Sequence, residues 1–142
     1  MNWIRLLLIV IAVGFSSAAY PCSCVRTTLN DDISKSEFIF IARIVSLDTL
    51  ETPTELGGIV FPGEKLVGVR YSVTHQVKGN VENNGQIFTR ALSAGNCSYD
   101  FKVGQRYMIY IKSDKFVSLC GATKHVSNIS DEERRMIGDK PF

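Results

Sequence analysis

The chain has 142 residues, with 16 basic and 14 acidic side chains, a net charge of +2 and 45% hydrophobic residues. That length suits one compact domain and is short for two. So balanced a charge calls for no polyanion, which sets nucleic acid aside as a partner.

The first residues speak to compartment. Met1 to Arg5 carries one basic side chain, Leu6 to Phe15 is almost wholly apolar, and Ser16-Ser17-Ala18-Ala19 follows. This is the layout of a secretory signal, with Ser17 and Ala19 flanking a cut before Tyr20. The expected organisation is a signal peptide over residues 1–19 and one domain over residues 20–142. The uncharged run is shorter than the roughly 20 residues a permanent anchor needs, so no membrane attachment is expected once the signal is removed. Export leads to oxidising surroundings, outside the cell or, in a bacterium, in the periplasm. There the four cysteines, Cys22, Cys24, Cys97 and Cys120, read first as two disulfides. A four-thiolate zinc site is the alternative, although such sites usually bring their ligands in close pairs on short turns. In an extended segment the side chains of Cys22 and Cys24 diverge, so each is expected to reach a different distant partner.

Asn30-Asp31-Asp32-Ile33-Ser34-Lys35 has capping residues and acids early and a lysine late, which predicts a short helix between Leu29 and Ser36. Glu37 to Leu47 is β-branched and aromatic with apolar residues on both faces, as in the central strand of a sheet covered on both sides. From Asp48 to Glu64 the pattern breaks at Pro53, Gly57, Gly58, Pro62 and Gly63, giving a long connection of the kind that is functional or mobile. Leu66 to Gly79 alternates cleanly, with Val67, Val69, Tyr71, Val73, His75 and Val77 on one face. Turn chemistry at Asn80–Gly85 leads to a strand at Gln86–Leu92, and another runs from Arg106 to Lys112. Ser113-Asp114-Lys115 predicts a hairpin into a fifth strand, Phe116–Cys120. The stretch from Ser130, acidic at Asp131-Glu132-Glu133 and basic at Arg134-Arg135, predicts a capped helix that docks on the sheet.

Five mostly antiparallel strands that must bury Phe38, Phe40, Phe88, Tyr107 and Tyr110 are best covered by curling up. The expected fold is mainly β, a five-stranded Greek-key OB-like barrel with short flanking helices.

Several of these residues together resemble the tissue inhibitors of metalloproteinases and the related netrin-type modules, in a single-domain form. The resemblance rests on Cys22-Ser23-Cys24, Phe38 to Ile44, Tyr71 to Gly79, Ser93-Ala94-Gly95-Asn96-Cys97, Gly104 to Tyr110 and Leu119-Cys120, and so covers nearly all of residues 22–120. It implies an OB-like barrel and the pairings Cys22–Cys97 and Cys24–Cys120, one of the three connectivities that four cysteines allow. It also implies a secreted inhibitor of a zinc metalloprotease, in which the α-amine and carbonyl of Cys22 ligate the protease's metal. Ser23, Cys24 and Val25 would flank that contact, and the Asp48–Glu64 loop would add a second. With a cut before Tyr20 the Cys22 nitrogen is a peptide amide, so chelation requires removal of Tyr20 and Pro21. The alternative is a netrin-like module that binds an extracellular protein or glycan without inhibition.

No serine or cysteine nucleophile stands beside a base in this sequence, so no catalytic constellation is expected, and neither is a cofactor or a resident metal. His75 and His125 read as hydrogen-bonded structural histidines rather than ligands. Lys102, Arg106, Lys112, Lys115 and Lys124 lie near strands and read as a solvated face; a polyanionic glycan or cell surface is the charged partner they would fit. Asn96-Cys97-Ser98 and Asn128-Ile129-Ser130 match the glycosylation pattern of a secreted eukaryotic chain.

Overall fold

A computed structural model describes residues 22–50, 54–56, 59–61, 65–92 and 97–138. The expected signal peptide and the Asn96 sequon position lie outside the described residues. Helix α1 (Leu29–Lys35) begins at Thr28, whose Oγ1 accepts the Asp31 N–H while Asp31 Oδ2 accepts the Thr28 N–H. These hydrogen bonds hold the Asp31 carboxyl below its usual range. The far end of α1 is closed by Lys78, whose Nζ donates to the carbonyls of Ile33 at 2.7 Å and Ser36 at 2.6 Å.

Strand β1 (Phe38–Leu50) is followed by a small hairpin, β2 (Thr54–Leu56) with β3 (Ile59–Phe61), and then by β4 (Leu66–Lys78), β5 (Asn84–Arg90), β6 (Arg106–Ile111) and β7 (Lys124–His125). A short 3-10 helix (Val126–Asn128) leads to α2 (Asp131–Ile137). The main sheet has five antiparallel strands in the order β5-β4-β1-β6-β7, so β1 is central, as its two apolar faces require. Phe40, Ala42, Ile44, Val69, Tyr71, Ile87, Tyr107 and Ile109 build an inner core with Phe101 and Val117. Ile39, Ile41, Met108 and Tyr110 point the other way, under Ile33 of α1 and Ile137 of α2. Each large apolar side chain so buried stabilises the fold by about 1.5–3 kcal/mol.

Three expectations need correction. The described residues of the Asp48–Glu64 connection are paired structure, because β1 runs on to Leu50 opposite Leu66 and β2 pairs with β3. The run Phe116–Cys120 does not fold back on β6. Lys115 takes a positive φ of 55° and the chain crosses to the free edge of β5, where Phe88 N–H donates to the Lys115 carbonyl and Val117 N–H to the Phe88 carbonyl, a single parallel bridge. Val117 is thereby buried in the inner core, and the fifth strand is Lys124–His125. Finally, β4 does not keep His75 on the face of Val73. The register steps from Ala42↔Val73 to Ile41↔His75, so β4 carries an extra residue at Thr74, and this bulge turns His75 to the helix-covered face. There His75 Nε2 lies 3.2 Å from the Ile137 carbonyl.

Candidate functional site

The expected site is the head of the described chain, Cys22-Ser23-Cys24-Val25. Cys22 is disulfide-bonded to Cys97 and Cys24 to Cys120, with Cα–Cα separations of 5.7 and 5.1 Å. These are the pairs that the resemblance to the inhibitor family implies. The bridges close loops of 75 and 96 residues, for which chain entropy predicts about 4–5 kcal/mol each as an upper figure. Their anchors are themselves joined, because Leu119 N–H donates to the Cys97 carbonyl at 3.0 Å. The head therefore crosses two chain segments that are hydrogen-bonded to each other.

The other end of the head is fixed as well. Thr27 Oγ1 donates to Asp32 Oδ1 at 2.6 Å, and the capping box at Thr28 follows directly. Between these restraints Ser23, Cys24 and Val25 lie in the open, Val25 with 86% of its surface exposed. Among the described residues, none pairs its main chain with that of Ser23–Arg26. A segment held at both ends, whose N–H and C=O groups pair with none of the described residues and which carries an exposed apolar side chain, is suited to pair with an extended partner or to enter a cleft. Beside it is a depression of about 350 Å3 lined by Thr27, Asp32, Lys35, Lys112, Ser118 and Cys120 among others.

Several of the remaining candidates have structural partners. His125 Nε2 lies 3.0 Å from Gln105 Oε1, and Nδ1 lies 2.7 Å from Ser127 Oγ. Its ring stands edge-on to Tyr107 at 5.3 Å. Among the described residues no three His, Cys, Asp or Glu side chains gather as a metal site, and no helix is long and apolar enough to cross a membrane. Lys102 pairs with Asp100 at 2.6 Å and Lys124 with Glu133 at 2.8 Å, so these two cations have acidic partners. Asn128 is exposed after the last strand.

Sequence reasoning missed the environment of Glu133. Its signal was present, since Ser130 and Glu133 spell a capping box, but the same carboxylate also accepts from Tyr110 Oη at 2.8 Å and is 1% exposed. Burial acts to raise its pKa, but hydrogen bonds from Lys124, Ser130 and Tyr110 outweigh it and hold the carboxyl below its usual range. The Tyr110 hydroxyl is pushed upward, by burial first and then by Glu133. In the inner core, burial pushes Tyr99 up to about 12.

No protein-family profile matches the chain, and no curated protein matches it. The functional reading therefore rests on the head itself and on the residue resemblance.

Proposed function

We propose that this protein is a secreted, single-domain relative of the tissue inhibitors of metalloproteinases and netrin-type modules, and that it inhibits a zinc metalloprotease through Cys22–Val25. One observation carries the reading: an exposed head, whose main chain pairs with none of the described residues, is tied by two disulfides to Cys97 and Cys120. Such a segment has lost most of its conformational freedom before it meets a partner, so binding gains affinity by avoiding that entropy cost. The two bridges fit an oxidising compartment. The main sheet, in the order β5-β4-β1-β6-β7, is not closed; in the same reading it curls as an OB-like barrel, a curl that the single Phe88–Phe116 bridge supports by drawing the β5 edge toward the segment after β6.

Chelation of the protease's zinc needs the free amine of Cys22, so the form starting at Cys22 is the inhibitor. The test is mass spectrometry of the mature amino terminus, combined with inhibition assays on a panel of zinc metalloproteases using forms that begin at Tyr20 and at Cys22. The Cys22 form is expected to inhibit at least a hundredfold more tightly, and acetylation of its amine to remove that gain. A panel on which neither form inhibits would overturn the reading. The cut expected after Ala19 favours a second reading, in which the Tyr20 form binds a protein through the exposed main chain of Ser23–Arg26 without touching a metal.

A further inference from the structure

Strand β5 is covered along only part of its outer edge. In an antiparallel ladder the main-chain groups of successive residues point alternately toward the neighbouring strand and away from it. Phe88 points away from β4, since its N–H donates to the Lys115 carbonyl and its C=O accepts from Val117. By the same alternation Asn84 and Gln86 turn their N–H and C=O groups outward. The crossing chain does not follow them, because Lys115 N–H turns back to the Lys112 carbonyl. Among the described residues no main chain pairs with the outward groups of Asn84 and Gln86. Two outward residues in alternate positions are what an added strand needs.

The gap also leads to an apolar recess. It measures about 160 Å3 and is lined by Phe38, Tyr71, Val81 and Ile111, with the exposed Glu82 and Lys115. Val81 and Glu82 lie just before β5 and Lys115 lies on the crossing chain, so the recess spans the open half of the edge. Gly85 keeps the approach clear, since an added Cβ would stand 2.5 Å from the Tyr71 hydroxyl and the ring takes the room a β5 side chain would fill. An apolar cavity of roughly 150 Å3 holds a benzene ring, so the recess has space for one aromatic side chain. Ile87 faces the inner core, so Asn84 and Gln86 carry their side chains on the opposite face. They help line a second cleft of about 370 Å3, together with Val45, Arg70, Tyr71 and Gly85. Arg70 meets Asp48 through Nε at 3.2 Å and its side chain is 65% exposed, which leaves its other N–H groups open to a second carboxylate.

We propose that the open half of the β5 edge takes an extended peptide segment of a partner protein as an added antiparallel strand, with an aromatic side chain opposite Gly85 and acidic side chains on either side of it. The flanking residues exchange main-chain hydrogen bonds with Asn84 and Gln86, and alternation along the strand sends their carboxylates to the face of Arg70 while the aromatic ring enters the recess. The Phe88–Phe116 bridge already uses this edge two residues further on, so the added strand continues an existing pairing. The proposal goes beyond the inhibitory reading and uses none of the head residues, so either can fail alone.

The test is titration calorimetry of the oxidised, processed protein with the pentapeptide acetyl-Thr-Glu-Phe-Glu-Thr-amide and its altered forms. Alanine at the centre, or lysine for both glutamates, is expected to weaken binding at least tenfold. N-methylation of the two glutamates should abolish binding, whereas N-methylation of the central phenylalanine, whose N–H points away from β5, should leave it intact. In the protein, Gln86→Pro removes an outward N–H that β4 does not use and should cost at least tenfold in affinity, and Arg70→Gln several-fold. The methylated peptides probe the same bonds without altering the protein, so a misfolded variant does not decide the outcome. Hydrogen exchange should show the Gln86 amide protected only when the peptide is present. Absent binding, equal binding of the alanine form, or equal loss on methylating the phenylalanine would each overturn the proposal. Protection of the Gln86 amide before peptide is added would also overturn it, by giving the edge to another segment of this chain or to a second copy.

Discussion

The two ends of the described chain are attached to the same sheet by different physics. The head is held by covalent bonds through Cys22 and Cys24, and between and beyond them its side chains remain in solvent. The carboxyl-terminal helix α2 is held by packing: Ile129 and Ile137 are buried, and Glu133 is enclosed by Tyr110, Lys124 and Ser130. A docked helix commits its apolar face and its carboxylate to the fold. The tethered head is bound through its sulfurs and its main chain pairs with none of the described residues, so that main chain and Val25 face a partner. For that reason the head, not the tail, is the candidate functional end.

The sharpest way to break this contrast is to cut a tether. Cys97→Ser should destabilise the protein by about 2–5 kcal/mol in urea unfolding and lower the backbone order parameters of Ser23 and Val25 while leaving those of α2 unchanged. Equal loosening at both ends would mean that the head is held by something other than its bridges. Next in size is Glu133→Ala, expected to cost about 3 kcal/mol by stranding Tyr110 and Lys124 and removing the carboxylate half of the capping box. Its effect should be confined to α2 and the Tyr110 face, read by hydrogen exchange.

The same residue sets an acid limb. Because the folded pKa of Glu133 is lowered, the unfolded chain binds more protons as pH drops. The contribution of Glu133 is therefore complete above the ordinary carboxylate range and lost as pH falls through the folded pKa. Glu133→Ala should flatten that part of the stability curve relative to the parent. An unchanged acid limb would contradict the network. Smallest in stability is Val25→Ser, within about 0.5 kcal/mol of the parent because the side chain is already in water. Under the proposed inhibitory function it should nonetheless weaken protease inhibition several-fold, and a variant that inhibits as well as the parent would narrow the proposed contact to Cys22–Cys24.

Much of the architecture could be read from local pattern. The apolar faces of Glu37–Leu47 predict a strand buried on both sides, which holds from Ile39 to Ala42 but not at Val45 and Leu47, which are exposed, and Ser130 with Glu133 predicts the cap of α2. Local pattern fails where one apolar run can serve two edges. Phe116 and Val117 satisfy their burial against β5 as well as they would against β6, and only the crossing at Lys115 decides between them. The Thr74 bulge is invisible for a related reason, since alternation runs unbroken through Val73, His75 and Val77 while the pairing with β1 slips by one. The candidate head was legible in its residues and spacing, but the exposure of Ser23–Arg26 was not.

By itself, the sequence determined the strand-rich composition, the central place of β1, the cap of α2 and the presence of two cysteines close together at the head. These depend on side-chain chemistry within a few residues. Which edge Phe116 joins, which face His75 takes and how Glu133 is enclosed were decided by tertiary structure alone. Each depends on the register between strands far apart in the chain, and a shift of one residue there moves a side chain from one face of the sheet to the other.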